Sequence, residues 1–152
     1  MHANSSSLPT DYTTNRHGRR TLLMAISTLS MALLMRQNVR AADANGDSVS
    51  LDFARAEHEA GRVILIDIRE PQEHATGVAA GARLLPMRQL DQRIGEIPLE
   101  PDTSVLLICN TQNRSSATLR ALRRNGYSHV RFVNDGMSEW ARRGWPMVKP
   151  AR

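Results

Sequence analysis

Residues 43–152 predict an α/β fold: an open, mostly parallel central sheet flanked by helices. Two observations carry this. The runs Val63–Ile68 (VILIDI) and Val105–Cys109 (VLLIC) are almost continuously apolar and rich in branched side chains, the pattern of a strand buried on both faces. Strand-like and helix-like segments also alternate along the chain, as parallel pairing through crossovers requires. The composition is that of a folded domain: 41% apolar and 23% charged residues in a chain of 152 exclude a disordered or low-complexity protein.

The elements follow in order. Residues 42–48, ADANGDS, read as a polar linker. Leu51 to Ala60 has helical spacing, with Ser50 or Asp52 as N-cap and Gly61 as stop. The first buried strand, Val63 to Ile68, comes next. Pro71 to Ala75 reads as a short helix and Arg83 to Leu85 as a short strand. Met87 to Ile97 reads as one helix, weakened by Gly95 and ended by Pro98. The second buried strand is Val105 to Cys109. Ser115 to Asn125 is a helix whose end is marked by Gly126, a residue free to turn left-handed. Val130 to Val133 is a strand, and Gly136 to Arg143 a last helix closed by Gly144 and Pro146. The domain spans residues 49–148, leaving 149–152 as a tail.

The amino-terminal residues read as an address instead of a fold. Residues 1–20 are polar and end in Arg19-Arg20; Thr21 to Met35 is uncharged and mostly apolar; Val39 and Ala41 suit the −3 and −1 positions of a cut before Ala42. This is the layout of an export signal over residues 1–41. The apolar core would span about 22 Å as helix, short of a roughly 30 Å hydrocarbon layer. The alternatives are an uncleaved membrane anchor and an internal helix. The stretch GRRTLL resembles a twin-arginine signal, with an ordinary secretory signal as the other route. Either implies an exported, periplasmic protein of a bacterium. This leader also explains the charge. The chain carries +5 overall, but residues 1–42 hold five Arg against one Asp, while 43–152 hold 15 basic against 14 acidic residues. A nearly neutral domain is not a nucleic-acid binder.

One cysteine excludes an internal disulfide and a cysteine zinc site. His58, His74 and His129 match no zinc spacing, so no metal and no cofactor are expected. The chemistry rests on Cys109 itself. It ends a buried strand, and a helix begins six residues later after Asn110, Thr111, Gln112, Asn113 and Arg114. Ligands of open α/β sheets bind beyond the carboxyl ends of strands. A short loop there can turn several N–H groups inward, and the helix start adds partial positive charge. Both favour a thiolate over a thiol, as would the cation of Arg114. The bland alternative is a buried cysteine acting as a small hydrophobe.

Three segments carry a resemblance. Asp67-Ile-Arg-Glu-Pro-Gln-Glu with Gly77, Gly81-Ala82 and Pro86, then Cys109 through Arg114-Ser115, then Asp135-Gly-Met-Ser-Glu-Trp140 with Gly144-Trp-Pro146, together resemble the rhodanese-like sulfurtransferases over roughly residues 49–148. The resemblance implies that fold's parallel sheet and the transfer of sulfane sulfur from thiosulfate or a persulfide. It implies Cys109 as nucleophile and persulfide carrier, and a thiol, small or protein-borne, as acceptor, with cyanide as a laboratory substitute. It assigns donor binding to Asn110, Thr111, Gln112, Asn113, Arg114 and Ser115, with Arg114 holding the anion or orienting the loop.

The chain departs from the family pattern in two places. Many members have a basic residue and a Gly where this loop has Asn110 and Gln112. A less positive loop attracts thiosulfate more weakly, and a left-handed φ at Gln112 would cost about 1 kcal/mol or more. Gly77-Val-Ala-Ala replaces a commoner Gly-His-Ile-Pro and reads as packing. Asp67 and Arg69 read as an ion pair supporting neighbouring loops, with substrate contact as the alternative. Glu70 and Glu73 read as helix-start carboxylates, with a carboxylate pair for acid/base work as the alternative. Trp140 and Trp145 read as core and edge packing. Arg120, Arg123 and Arg124 read as a solvated face, with a dock for an acidic partner as the alternative. Two rival functions remain: a low-turnover sulfur carrier or redox-sensing module of the same fold, and a phosphatase or arsenate reductase. The latter place Arg six positions after the Cys, where this chain has Ser115.

Overall fold

The computed structural model describes residues 46–150. The export signal at 1–41 and most of the linker lie outside them. The described residues form a five-stranded, all-parallel sheet in the order β1-β5-β4-β2-β3. The strands are β1 (Ser48–Val49), β2 (Ile64–Asp67), β3 (Arg83–Leu84), β4 (Val105–Ile108) and β5 (Val130–Val133). The helices are α1 (Leu51–Glu59), α2 (Pro71–His74), α3 (Leu90–Arg93), α4 (Asn113–Arg124) and α5 (Gly136–Arg142).

The central strands divide their side chains between two cores. On one face Ile66, Leu107, Cys109 and Val130 pack with Leu119, Leu122 and Tyr127. On the other Leu65, Leu106, Ile108 and Val133 pack with Leu51, Ala54, Met137 and Trp140. Two apolar faces require an unbroken apolar run, which is why VLLIC shows no alternation. Ser50 caps α1 by accepting the Phe53 N–H at 3.2 Å. Asp52, the other cap candidate, instead pairs with Arg143. Gly126 takes the left-handed conformation expected after α4, at φ +88°.

Two expectations need correction. Ser48, assigned to the linker 42–48, begins β1, which pairs with β5 through Ser48–Phe132 and Val49–Val133. A two-residue edge strand needs only two extended residues, too few for a pattern. Met87 to Ile97 is not one helix: it breaks into a 3₁₀ turn (Met87–Gln89), α3 and a second 3₁₀ turn (Ile94–Glu96). The Met87 N–H is held by the carbonyl of Ile68, and Arg93 reaches the Leu84 carbonyl and the side chains of Gln89 and Glu96. The segment wraps the β3 edge, and those tethers outweigh helical continuity.

Candidate active site

Parallel strands bring their carboxyl ends to one edge of the sheet, where the segments from Asp67 to Glu73, from Cys109 to Ser115, and at Asp135–Gly136 meet. Cys109 follows β4 and is 1% exposed. The Ser115 N–H, in the first turn of α4, donates to Sγ at 3.4 Å, and the Ser115 hydroxyl lies 3.5 Å from the sulfur. As a thiol, Sγ donates to the Thr111 carbonyl at 3.5 Å. The Ser115 hydroxyl is steadied by donating to the Gln112 carbonyl at 3.1 Å. The first N–H groups of a helix have no intrahelical acceptor, so α4 presents donors and partial positive charge here.

The loop is shaped from outside by α5. The Met137 N–H donates to the Cys109 carbonyl at 2.8 Å and the Ser138 N–H to the Asn110 carbonyl at 2.9 Å. In a trans peptide the C=O and N–H point opposite ways, so the N–H groups of Asn110 and Thr111 face away from α5. Such an approach leaves no room for a side chain. A Cβ on Gly136 would collide with the carbonyl oxygens of Thr111 and Cys109 and come within 2.8 Å of the Asn110 carbonyl carbon. Asp135 and Gly136 are both left-handed, at φ +65° and +70°. The Asp135 N–H donates to Gln112 Oε1 at 3.0 Å, so the side chain of Gln112 ties the loop to that turn. Gln112 itself has φ −126°, and Asp135 is the one non-glycine residue of positive φ among the described residues. The expected strain at Gln112 is therefore absent, because its backbone is not left-handed.

Arg114 does not open towards the loop as a free cation. Its guanidinium makes two bonds to Glu73 of α2, at 2.7 and 2.6 Å. These bonds hold the Glu73 carboxyl down to about 2. The Glu73 carboxylate, and to a lesser degree Cys109, hold the Arg114 guanidinium still more firmly protonated than usual. Glu73 also accepts the Glu70 N–H at 3.1 Å, completing a capping box that fixes its position. This pairing across 41 residues is the feature that sequence reasoning misses: neither a helix-start carboxylate nor a Glu70–Glu73 pair points to Arg114.

Beneath lies the expected ion pair. Arg69 donates to both Asp67 oxygens, at 2.6 to 3.0 Å, and to the Gly77 carbonyl at 2.8 Å. It also reaches the Glu73 carbonyl at 3.4 Å. Asp67 is fully buried and Arg69 3% exposed, so the pair supports the loops from inside. His74 is buried beside it; its Nε2 lies 3.4 Å from Asp67 Oδ1 without a formed hydrogen bond. Gly77 packs against Met147, as the packing reading of that segment anticipates. Trp140 is buried and meets Trp145 edge-on at 5.1 Å. Arg123 pairs with Asp47, while Arg120 and Arg124 are exposed. Two open concavities, beside His129 and Arg131 and along residues 95–100, are lined by none of the Cys109 loop.

The arrangement is that of a strand-end cysteine under a short loop, with a donor at the sulfur. The family model for rhodanese-like domains matches residues 50–143. The chain belongs to the rhodanese-like domain family. A sulfurtransferase of Allochromatium vinosum is 38% identical over 104 residues, covering 68% of this chain and 94% of that one. An uncharacterised Bacillus subtilis protein is 40% identical over 76 residues, half of this chain and 59% of its own. Among solved structures, a human single-domain sulfurtransferase has a TM-score of 0.56 at 25% identity, covering 64% of this chain and 97% of that one. A rhodanese-like protein of Staphylococcus aureus superposes with a TM-score of 0.60 at 23% identity, covering 68% and 98%. This rhodanese-like chain is thus of the sulfurtransferase type, a class of enzyme that takes sulfur from a donor and gives it to a thiol.

Proposed function

We propose that the protein moves sulfane sulfur through a persulfide on Cys109. The Cys109 thiolate attacks the outer sulfur of thiosulfate or of a persulfide, the donor's S–S bond breaks, and sulfite or a thiolate leaves. An acceptor thiolate then takes the outer sulfur and restores Cys109. The observation that carries this is the Ser115 N–H aimed at Sγ at 3.4 Å from the start of α4, a donor that favours negative charge on that atom. In the same proposal the amides of Asn110 to Arg114 cradle the incoming group, and Arg114 orients the loop through Glu73. Asp67 and Arg69 serve as support. The leader residues 1–41 support an exported location, which amino-terminal sequencing of the protein from fractionated cells tests.

A second reading has its own observation. A cysteine buried to 1% exposure suits a carrier that loads and unloads against one partner with little turnover. Intact-mass measurement on the full chain tests the proposal: thiosulfate or an organic persulfide adds one sulfur atom, cyanide removes it as thiocyanate, and Cys109→Ser stays unchanged. Loading without multiple turnovers favours the carrier. Equal loading of Cys109→Ser overturns both readings.

A further inference from the structure

Arg114 is the one charged side chain in the loop from Asn110 to Ser115, and a carboxylate from another segment takes it. The Glu73 carboxylate is held by the bidentate bonds of Arg114 and by the Glu70 N–H at 3.1 Å, and its main chain by its backbone N–H, which donates to the Glu70 carbonyl at 2.9 Å. Arg69 adds a longer bond to the Glu73 carbonyl at 3.4 Å. So anchored, Glu73 cannot readily swing away when a donor arrives. With its carboxyl held to about 2, it stays ionised and cancels the loop's cation at any working pH. The incoming donor meets backbone dipoles and a neutral ion pair, not a net positive charge.

We propose that Glu73 sets donor specificity, acting through Arg114: it disfavours the small dianion thiosulfate and favours an organic persulfide, whose sulfur carries at most one negative charge. The proposal rests on the sulfur-transfer reading of Cys109. Glu73 touches no reacting atom and is a positioning residue. In the favoured step the Cys109 thiolate forms a bond to the outer sulfur of R–S–SH, the donor's S–S bond breaks with its electron pair going to the inner sulfur, and R–S⁻ leaves to take a proton from water. Cys109 is left as Cys–S–SH; no oxidant or reductant is needed. The discrimination is coulombic. One extra negative charge facing a released, partly exposed guanidinium, close to the solvent-screened limit, gains enough for a rate factor of about fivefold.

The experiment compares kcat/KM for thiosulfate and for 2-mercaptoethanol persulfide in the full chain, in Glu73→Gln, and in Glu73→Gln combined with Arg114→Gln. Gln keeps the capping box, and urea unfolding of each variant confirms that it folds. The wild type favours the persulfide. In Glu73→Gln the thiosulfate-to-persulfide ratio rises about fivefold, mainly through the KM for thiosulfate. The double variant returns the ratio to the wild-type value, since the released cation is gone. A Glu73→Gln chain that loses both donors in equal proportion shows a purely structural Glu73 and overturns the proposal. So does a wild type that prefers thiosulfate. Loading of the wild type by neither donor is the distinct result that overturns the sulfur-transfer reading itself, and this proposal with it.

Discussion

Gly136→Ala puts one methyl group where the loop and α5 meet. The residue sits at φ +70°, where an L side chain costs roughly 1–2 kcal/mol. The new Cβ also meets the Thr111 and Cys109 carbonyl oxygens, which are backbone atoms with no rotamer to escape into. The loop and the α5 start must separate, and the Met137 and Ser138 donations to Cys109 and Asn110 stretch or break. Each such bond is worth about 1 kcal/mol net. A loss of about 3–4 kcal/mol follows, a large part of the 5–15 kcal/mol of a typical domain. Gly126→Ala is the control. Its φ is +88° with nothing within 4 Å of the added Cβ, so only the backbone cost of about 1–2 kcal/mol applies. Urea unfolding of both variants gives the comparison. Sulfur loading of whatever Gly136→Ala remains folded reports the loop geometry and should be lost. Equal destabilisation by the two substitutions, with loading intact, would refute the claim that α5 shapes the loop.

Three further outcomes are expected. Arg69→Met leaves the fully buried Asp67 without its cation and costs about 3–5 kcal/mol in urea unfolding; a loss under about 1 kcal/mol would show that Asp67 finds another partner. The Glu73 carboxyl, lowered to about 2 from 4.5, contributes stability that is complete above its ordinary value and is lost as pH falls through the lowered one. The pair is partly exposed, so that share is about 1 kcal/mol or less. The stability gap between the wild type and Glu73→Gln should therefore narrow between about pH 5 and pH 2, and a widening gap contradicts the assignment. Ser115→Ala removes the hydroxyl 3.5 Å from Sγ but keeps the N–H. It should slow loading by about tenfold at most; complete loss in a folded protein transfers the role from the amide to the hydroxyl.

What could be read from the sequence was what neighbours in sequence determine. VILIDI and VLLIC declare strands buried on both sides, and Ser50, Gly126 and Gly144 mark helix ends through local geometry. Cys109 stands out because a strand end and a helix start bracket it. The pairing of Glu73 with Arg114 has no such signature: 41 residues and a strand crossover separate them, and each is ordinary in its own segment. Gln112 misled for a related reason. Its backbone is unstrained at φ −126° and its side chain accepts the N–H of Asp135, in the turn after β5, a contact 23 residues away that no neighbouring residue announces. Ser48–Val49 escaped notice because an edge strand of two residues borrows its register from β5.

The donors that hold the loop come from residues 137 and 138, close to the end of the domain. A ribosome that has released Cys109 and all of α4 has still not supplied the amides that turn the Cys109 and Asn110 carbonyls aside. The loop around Cys109 is therefore completed last. A chain cut short before α5 keeps Cys109 and its Ser115 contacts but lacks the outer clamp of Met137 and Ser138, so the loop and its clamp arrive in separate stages of synthesis.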